Sequence, residues 1–184
     1  MKTDLSSYKN DWYKAEIKAS RFKQIAWYLT NILFFKNSLN ISSGLKVSLL
    51  RMFGAKVGKG VVIKPSVNIK YPWKLTIGDH AWIGENVWID NLADVLIGSN
   101  ACLSQGAMLL TGNHDFTKST FDLMVKGIVL EEGAWIGAQA MVCPGITCRS
   151  HAVLAACSVA TKDLEEYKIY QGNPAVEVRE RKIT

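Results

Sequence analysis

The sequence predicts an all-β fold, a parallel β-helix of about five coils that carries an N-terminal helical segment. Apolar residues recur at every sixth position from residue 57 to about residue 165. That period fits neither the 3.6 residues of an α-helical turn nor the two-residue alternation of a strand. It fits a triangular coil, in which three short strands of six residues each complete one turn.

The repeats are defined by their first residue, which we call the anchor and expect to point into the core. Where the spacing widens to eight, between Ile69 and Ile77 and between Ile89 and Ile97, the extra residues fall at the same corner of the cycle. A solenoid tolerates such insertions at a corner. The anchors are Val57, Ile63, Ile69, Ile77, Ile83, Ile89, Ile97, Leu103, Leu109, Leu130, Ile136, Val142, Cys148, Leu154 and Ala160.

Glycine often follows an anchor directly. We expect these glycines to mark turns that require positive φ, because glycine adopts that conformation without steric cost. They are Gly58, Gly78, Gly84, Gly98 and Gly137.

Residues 1–56 lack the hexad period and hold the basic excess of the chain. Ten lysines and arginines stand there against three acidic residues, whereas the remainder has 12 against 13. Helical spacing of apolar residues after a potential cap at Ser20 predicts an amphipathic helix over residues 20–35, and a second helix is predicted over 44–53. These helices could close one end of the solenoid, pack between subunits, or lie on a membrane surface.

Length and composition favour one globular domain with appendages. The expected division is residues 1–56 as a helical segment, 57–165 as the β-helix with a loop at 110–129, and 166–184 as a C-terminal tail. No apolar stretch is long enough to cross a bilayer and the first residues do not resemble a secretion signal, so we expect a cytoplasmic protein. The four cysteines have no Cys-x-x-Cys spacing and are interpreted as reduced structural thiols.

The longest break in the period separates Leu109 from Leu130, so that about 15 residues leave the coil. Long loops in compact repeat proteins are often functional. This one contains His114, and a histidine within hydrogen-bond reach can accept a proton from an attacking hydroxyl. His80 and His151 each stand three positions after an anchor, in the second and fifth coils, roughly 14 Å apart and too far to share a metal.

The repeats, the loop Thr-Gly-Asn-His-Asp at 111–115, and the ending Ser-Val-Ala-Thr-Lys-Asp at 158–163 with Gly-Asn-Pro-Ala at 172–175 resemble those of hexapeptide-repeat acyltransferases. Within that superfamily the chain is most similar to O-acetyltransferases of colanic acid biosynthesis, and more distantly to galactoside and maltose acetyltransferases. The closer resemblance also covers residues 50–55 and 71–75.

The resemblance implies a left-handed β-helix that forms a homotrimer and binds acetyl-CoA in a groove between subunits. It assigns His114 as the general base toward an acceptor hydroxyl, which attacks the thioester directly without an acyl-enzyme. It matches Asn86 to an asparagine that contacts the acceptor. Asp115 is expected to orient the imidazole, because it is adjacent in the sequence.

On the donor side, the resemblance matches Ala138, Ala156 and Thr161 to positions that line the pantetheine arm of the cofactor. Small side chains there would let the cofactor lie against the wall of the helix.

The resemblance also matches Lys162 and Arg179 to basic positions near the cofactor's phosphates, a role that suits cationic side chains. Val176 departs from the family pattern, since relatives often carry Arg or Lys there. Phosphate recognition is therefore expected to depend on Arg179, Arg181 or Lys182.

The acceptor implied by this resemblance is a sugar hydroxyl of an exopolysaccharide or capsule unit. N-acetylation of an amino sugar and O-acetylation of serine remain open, because a histidine base serves an amine equally well. A non-catalytic trimeric assembly protein is the alternative from another functional class. A zinc carbonic anhydrase is a further alternative, but it would need three histidines that converge on the metal. We expect no metal and no nucleic-acid partner, and a peripheral membrane contact through residues 1–56 is a further option.

Overall fold

The computed structural model describes residues 2–184, and its core is a stack of five three-stranded coils. Strands β10 and β11 lie between the third and fourth coils and are described with the site. After the coil strands, the chain ends in β18 (Lys168–Gly172) and β19 (Ala175–Glu180). The coil strands, in chain order, are β1 (Lys56–Val57), β2 (Val62–Ile63) and β3 (Asn68–Ile69); β4 (Leu75–Ile77), β5 (Trp82–Ile83) and β6 (Trp88–Asp90); β7 (Val95–Ile97), β8 (Cys102–Leu103) and β9 (Met108–Leu110); β12 (Ile128–Leu130), β13 (Trp135–Ile136) and β14 (Met141–Val142); β15 (Thr147–Cys148), β16 (Val153–Leu154) and β17 (Val159–Ala160).

Three parallel sheets form the faces of this solenoid. Face A has the order β1-β4-β7-β12-β15, face B runs β2-β5-β8-β13-β16-β18 with β19 at its edge, and face C runs β3-β6-β9-β14-β17. Every anchor of the first four coils pairs with the anchor of the next coil, as Ile63 does with Ile83, which pairs in turn with Leu103. The predicted parallel β-helix of about five coils is confirmed. A sixth turn begins where Leu164 bridges to Cys148 and β18 extends face B.

At the corners of the triangle, the residues with positive φ are not the glycines that the sequence analysis predicted. The glycines that follow anchors do not adopt positive φ; the left-handed residue comes two positions later, three after the anchor. The glycines are needed because coils stack closely: a Cβ built on Gly98 would lie 2.7 Å from the carbonyl carbon of Glu131. The left-handed corner residues are Gly60, Ser66, His80, Asn86, Asn100, Gly106, Gly133, Gln139, Gly145, His151 and Cys157.

The N-terminal segment forms α1 (Asp11–Glu16), α2 (Arg21–Thr30) and α3 (Ser43–Met52), with a single π-helical turn at Asn31–Phe35 after α2. The predicted cap is present, because Ser20 Oγ accepts the backbone N–H of Lys23 at 3.2 Å. Ser42 caps α3 in the same way. Trp27 and Leu50 are buried against the first coil, so the helices cover the base of the solenoid.

The base also needs hydrogen-bond donors, because the first coil has no coil beneath it to pair with its outward carbonyls. The helices supply them on all three faces. On face B, Ser43 additionally accepts the N–H of Ile63. The donors are the Arg51 guanidinium to the carbonyls of Val57 and Gly58, the Lys46 ammonium to that of Lys64 at 2.8 Å, and the Trp27 indole to that of Ile69 at 2.9 Å.

Among residues 2–184, none of the helices has both the length and the apolar character that a bilayer crossing requires.

The close stacking predicts the cost of a single methyl group. We expect Gly98→Ala to lower the free energy of unfolding by about 1–3 kcal/mol, because the new Cβ overlaps backbone that cannot move without breaking the ladder. Chemical denaturation followed by circular dichroism measures the change. Gly44→Ala is the control: nothing lies within 4 Å of the position that its Cβ would take, and we expect a gain of about 0.5 kcal/mol or no change. Equal stability of the two variants would contradict the stacking argument.

Candidate active site

The break in the hexad period is an ordered hairpin that leaves the solenoid between faces C and A. It is formed by β10 (Gly112–His114) and β11 (Leu123–Val125), which pair antiparallel. Its base is closed by the Lys126 N–H, which donates to the Thr111 carbonyl at 2.9 Å. The hairpin therefore holds its side chains at a defined height, beside the third and fourth coils.

His114 lies at the end of β10 and is half-buried. Its Nδ1 is 2.8 Å from the carbonyl oxygen of Phe121, and its ring stacks on the Phe121 ring with centroids 4.4 Å apart and an interplanar angle of 7°. A carbonyl can only accept a hydrogen bond, so the neutral imidazole carries its proton on Nδ1. Its Nε2 then has a free lone pair and can act as a base.

The ring is held by Phe121 rather than by Asp115, which the sequence suggests as its partner. The Asp115 carboxylate accepts the N–H of Thr117 at 3.1 Å and its hydroxyl at 2.6 Å. The Thr117 hydroxyl bond is the main reason that the pKa of Asp115 lies below its usual value. Asp115 thus shapes the hairpin tip, while Phe121, at a φ of 51°, brings its carbonyl to the imidazole.

Asp4 and Tyr8 pack on this hairpin, a feature that no sequence pattern indicates. The backbone N–H of Asp4 donates to the carbonyl of Ser119 at 2.8 Å. The Tyr8 ring lies 5.7 Å from the His114 ring, centroid to centroid. Tyr8 and Phe121 therefore flank the imidazole and are the site residues that sequence reasoning missed.

Asn86 lies away from His114 within one chain. It occupies the left-handed corner between faces B and C in the second coil, where its side chain is exposed. The hairpin leaves from the opposite edge of face C. The two edges are separated by about five extended residues, or roughly 16 Å.

Three of the residues matched to the cofactor lie together in a groove along face B. This groove has a volume of about 480 Å³, and its walls are small or apolar apart from two arginines and a few polar side chains. Ala138, Ala156 and Arg179 all line it, with Trp135 and Ile169 forming its sides. An extended molecule with an anionic end fits such a groove.

Two further residues that were matched to the cofactor lie outside that groove. Thr161 and Lys162 follow β17 at the corner between faces C and A, and both are exposed. Arg181 lines the groove beside Arg179, and its guanidinium donates to the carbonyls of Gly133 and His151, at 2.9 and 3.1 Å, so it also ties the C-terminal strand to a corner. Lys182 is exposed.

Side chains that could ligate a metal are dispersed. Over residues 2–184, no three His, Cys, Asp or Glu side chains gather in a potential metal site. The four cysteines are unpaired, and burial raises the pKa of Cys148 to about 12, which keeps it a neutral thiol within its ladder.

Comparison with known proteins identifies relatives along most of the chain, although no family model matches. WcaF of Escherichia coli (strain K12), which carries the name of a colanic acid biosynthesis acetyltransferase, is 41% identical over 155 residues, 84% of this chain and 85% of that protein. Galactoside O-acetyltransferase of the same organism is 27% identical over 136 residues, 72% of this chain and 67% of that protein.

Solved structures agree on the fold. A hexapeptide-repeat-containing acetyltransferase of Vibrio cholerae, in complex with acetyl coenzyme A, superposes with a TM-score of 0.80 at 24% identity, covering 97% of this chain and 96% of that one. A maltose O-acetyltransferase of Clostridium difficile gives 0.78 at 20% identity, covering 95% and 90%. The predicted left-handed β-helix is confirmed, and the chain belongs to the hexapeptide-repeat acetyltransferases, close to the colanic acid biosynthesis member.

Proposed function

We propose that the protein is an acetyl-CoA-dependent O-acetyltransferase that modifies a sugar hydroxyl in exopolysaccharide or capsule biosynthesis, with His114 as general base. The observation that carries this proposal is the bond between His114 Nδ1 and the Phe121 carbonyl, which leaves Nε2 free to accept a proton. The name of the 41% identical relative supports a polysaccharide acceptor, and the acetyl-CoA complex of the Vibrio cholerae protein supports the donor.

The proposed reaction is a direct transfer. Nε2 of His114 takes the proton of the acceptor hydroxyl while the oxygen forms a bond to the acetyl carbonyl carbon. The carbon–sulfur bond of the thioester then breaks, and the imidazolium returns the proton to the departing thiolate. The Phe121 carbonyl accepts from Nδ1–H throughout, so it stabilises the positive charge that the ring carries between the two steps.

The proposed donor site is the groove on face B. Ala138 and Ala156 would let the pantetheine arm lie against the coils, and Arg179 would meet phosphate. Thr161 and Lys162 lie on a different corner, so they would reach the same cofactor only from a neighbouring subunit. Asn86 and His114 stand at opposite edges of face C and would likewise meet around one acceptor only across a subunit boundary. A homotrimer satisfies both conditions.

We also propose that the helical base rests on the cytoplasmic face of a membrane. Large apolar side chains point away from the solenoid there: Phe22 is 83% exposed and Leu39 is 86% exposed. Lys18, Arg21 and Lys36 are close to them in the chain, and residues 1–56 carry the basic excess. Apolar insertion combined with basic flanks is typical of surfaces that bind anionic lipid.

Replacing His114, the proposed general base, tests the reaction. We expect His114→Ala to lower kcat by roughly 10²- to 10⁴-fold with little change in KM for acetyl-CoA. The assay follows acetyl transfer to oligosaccharide intermediates from the native cell by mass spectrometry, and NMR locates the acetyl group. His80→Ala is the control, since His80 is a corner residue of the second coil, away from the hairpin. Unchanged turnover in His114→Ala would exclude the base role; acetate found on nitrogen would redirect the acceptor to an amine.

Filling the groove tests the donor site. We expect Ala138→Phe to raise the Kd for acetyl-CoA at least tenfold in calorimetry, because the ring would occupy the path of the pantetheine arm. Leu96→Phe, on the exposed side of face A, is the control that adds an aromatic ring elsewhere on the solenoid. Light scattering checks the trimer mass in both variants. Failure of the wild-type protein to bind acetyl-CoA would instead support the assembly-protein alternative.

Vesicle binding tests the membrane contact. We expect co-sedimentation with vesicles of phosphatidylcholine and phosphatidylglycerol that weakens as salt rises. Phe22→Ser with Leu39→Ser should weaken it at least fivefold, whereas Val178→Ser with Ile183→Ser, exposed near the C terminus, should not. Point variants are preferable to deletion, because Trp27 and Phe35 belong to the core. Equal binding by both pairs would refute this contact.

A further inference from the structure

A segment that we call the arm, residues 2–10, packs against the hairpin that carries His114. It makes contact at two heights. The backbone N–H of Asp4 donates to the carbonyl of Ser119 in the hairpin tip at 2.8 Å, and the Tyr8 ring lies 5.7 Å from the His114 ring, centroid to centroid. Tyr8 is half-buried, although most of the arm is exposed. The arm therefore meets the hairpin through two residues rather than along its whole length.

Hydrogen bonds within the arm fix the spacing between these two contacts. Asp4 caps a single 3₁₀ turn, Leu5–Ser7, and its carboxylate accepts the N–H of Ser6 at 3.1 Å and the Ser6 hydroxyl at 2.6 Å. The N–H of Tyr8 donates to the carbonyl of Leu5 at 3.2 Å and ends the turn. Asp4 and Tyr8 are thus held as one unit against the hairpin.

The arm continues into α1, which is anchored beside the root of the hairpin. Tyr13 of α1 is 4% exposed, and its hydroxyl donates to the carbonyl of Leu92 at 3.0 Å. The Lys74 ammonium donates to the same carbonyl at 2.6 Å and lies 5.2 Å from the centre of the Tyr13 ring. Leu92 also touches the hairpin, because a Cβ built on Gly112 would lie 2.5 Å from its Cδ1. Tyr8 therefore lies between an anchor at the root of the hairpin and a second one at its tip.

The hairpin needs such contacts because it is short and because one of its residues has an unusual backbone conformation. β10 and β11 pair over three residues each, and an isolated two-stranded hairpin is at best marginally stable. Phe121 has a φ of 51°, a conformation that residues other than glycine keep only where surrounding contacts hold it. Its carbonyl is the one that accepts from His114 Nδ1. Movement of the tip would therefore release the imidazole.

Release of the imidazole would change its chemistry. A neutral histidine can carry its proton on either ring nitrogen, and only the form protonated on Nδ1 presents a basic Nε2. Phe121 stacks on the His114 ring at an interplanar angle of 7°, whereas Tyr8 packs at 57°, so the two aromatic rings restrict its rotation differently. Both centroid distances are within the range in which aromatic rings attract each other.

We propose that Tyr8 is a positioning residue for His114, and that the bond from Asp4 to Ser119 latches the hairpin in the conformation that keeps the imidazole proton on Nδ1. This inference rests on the proposed function, because it assumes that His114 is the base. It predicts an effect on turnover rather than on the binding of acetyl-CoA. It also predicts that the ring of Tyr8 matters and its hydroxyl does not.

Acetyl transfer by the full chain tests the role in turnover. We expect Tyr8→Ala to lower kcat about two- to tenfold, the effect of one aromatic contact, with KM for acetyl-CoA unchanged. Tyr8→Phe should restore the wild-type kcat. Tyr167→Ala is the matched control: Tyr167 also packs on a histidine, His151, with centroids 4.8 Å apart, but that pair lies at the corner between faces A and B of the fifth coil.

NMR on protein labelled with ¹⁵N-histidine tests the tautomer directly, without substrates. The measurement uses long-range ¹H–¹⁵N correlations in buffer alkaline enough for the imidazole to be neutral, and His114→Ala identifies the signal. We expect protonation on Nδ1 in the wild type and in Tyr8→Phe, and a mixture of tautomers in Tyr8→Ala. Asp4→Pro removes the N–H that reaches Ser119 and should give a mixture too, whereas Asp4→Asn keeps the N–H and should not.

Circular dichroism verifies that every variant is folded. The positioning role is overturned if Tyr8→Ala and Asp4→Pro keep the wild-type kcat and a single tautomer, if Tyr8→Phe is as impaired as Tyr8→Ala, or if Tyr8→Ala raises only KM for the acceptor. The outcome is separable from that of the proposed function. A tautomer that depends on Tyr8 in a protein without acetyl transfer would reject the reaction alone, and acetyl transfer with unaltered kcat and tautomer in the variants would reject the positioning role alone.

Discussion

The backbone ladder between coils is the constraint on which the rest of this molecule depends. Each coil donates to and accepts from the coils above and below, as when the N–H of Gly78 donates to the carbonyl of Ile97 and that of Gly98 to the carbonyl of Leu130, both at 2.7 Å. That spacing leaves no room for a Cβ at either glycine. It also leaves the coil backbone no freedom to form a pocket, so reactive groups must come from insertions at the corners or from the outer surfaces of the faces.

The same ladder makes the ends of the solenoid costly, and the two ends are closed differently. At the base, polar side chains of α2 and α3 donate to the carbonyls of the first coil, and Trp27 combines such a bond with burial in the core. At the other end, residues that follow the last coil cover it, because Leu164 bridges to Cys148 and β18 pairs with β16. Because the helices use one side to cover the base, their other side remains exposed and apolar, which is the surface that we propose meets lipid.

The repeat can be recognised in the sequence because each coil obeys the same local rule, and the anchors therefore predict both the register and the position of the loop that the structure shows to be a hairpin. The sequence does not reveal why glycine follows many anchors, because the reason is the short distance between coils and not the conformation of a turn. Nor are Tyr8 and Phe121, because their contacts with His114 depend on how a long loop and a distant terminus pack. Adjacency in sequence suggests Asp115 as the partner of the ring, but neighbours in extended chain point to opposite sides.

The residues proposed for the site stand at different corners of the triangular coil. Faces B and C meet at the corner of Asn86, whereas the hairpin and Lys162 belong to the corner between C and A. A single triangular coil cannot bring two of its corners together, because the packed anchors fill its interior. Groups from different corners can act on one molecule only if two copies place unlike corners side by side. Repetition of that heterologous contact around an axis closes a ring, and a ring of three would give every hairpin a neighbouring groove.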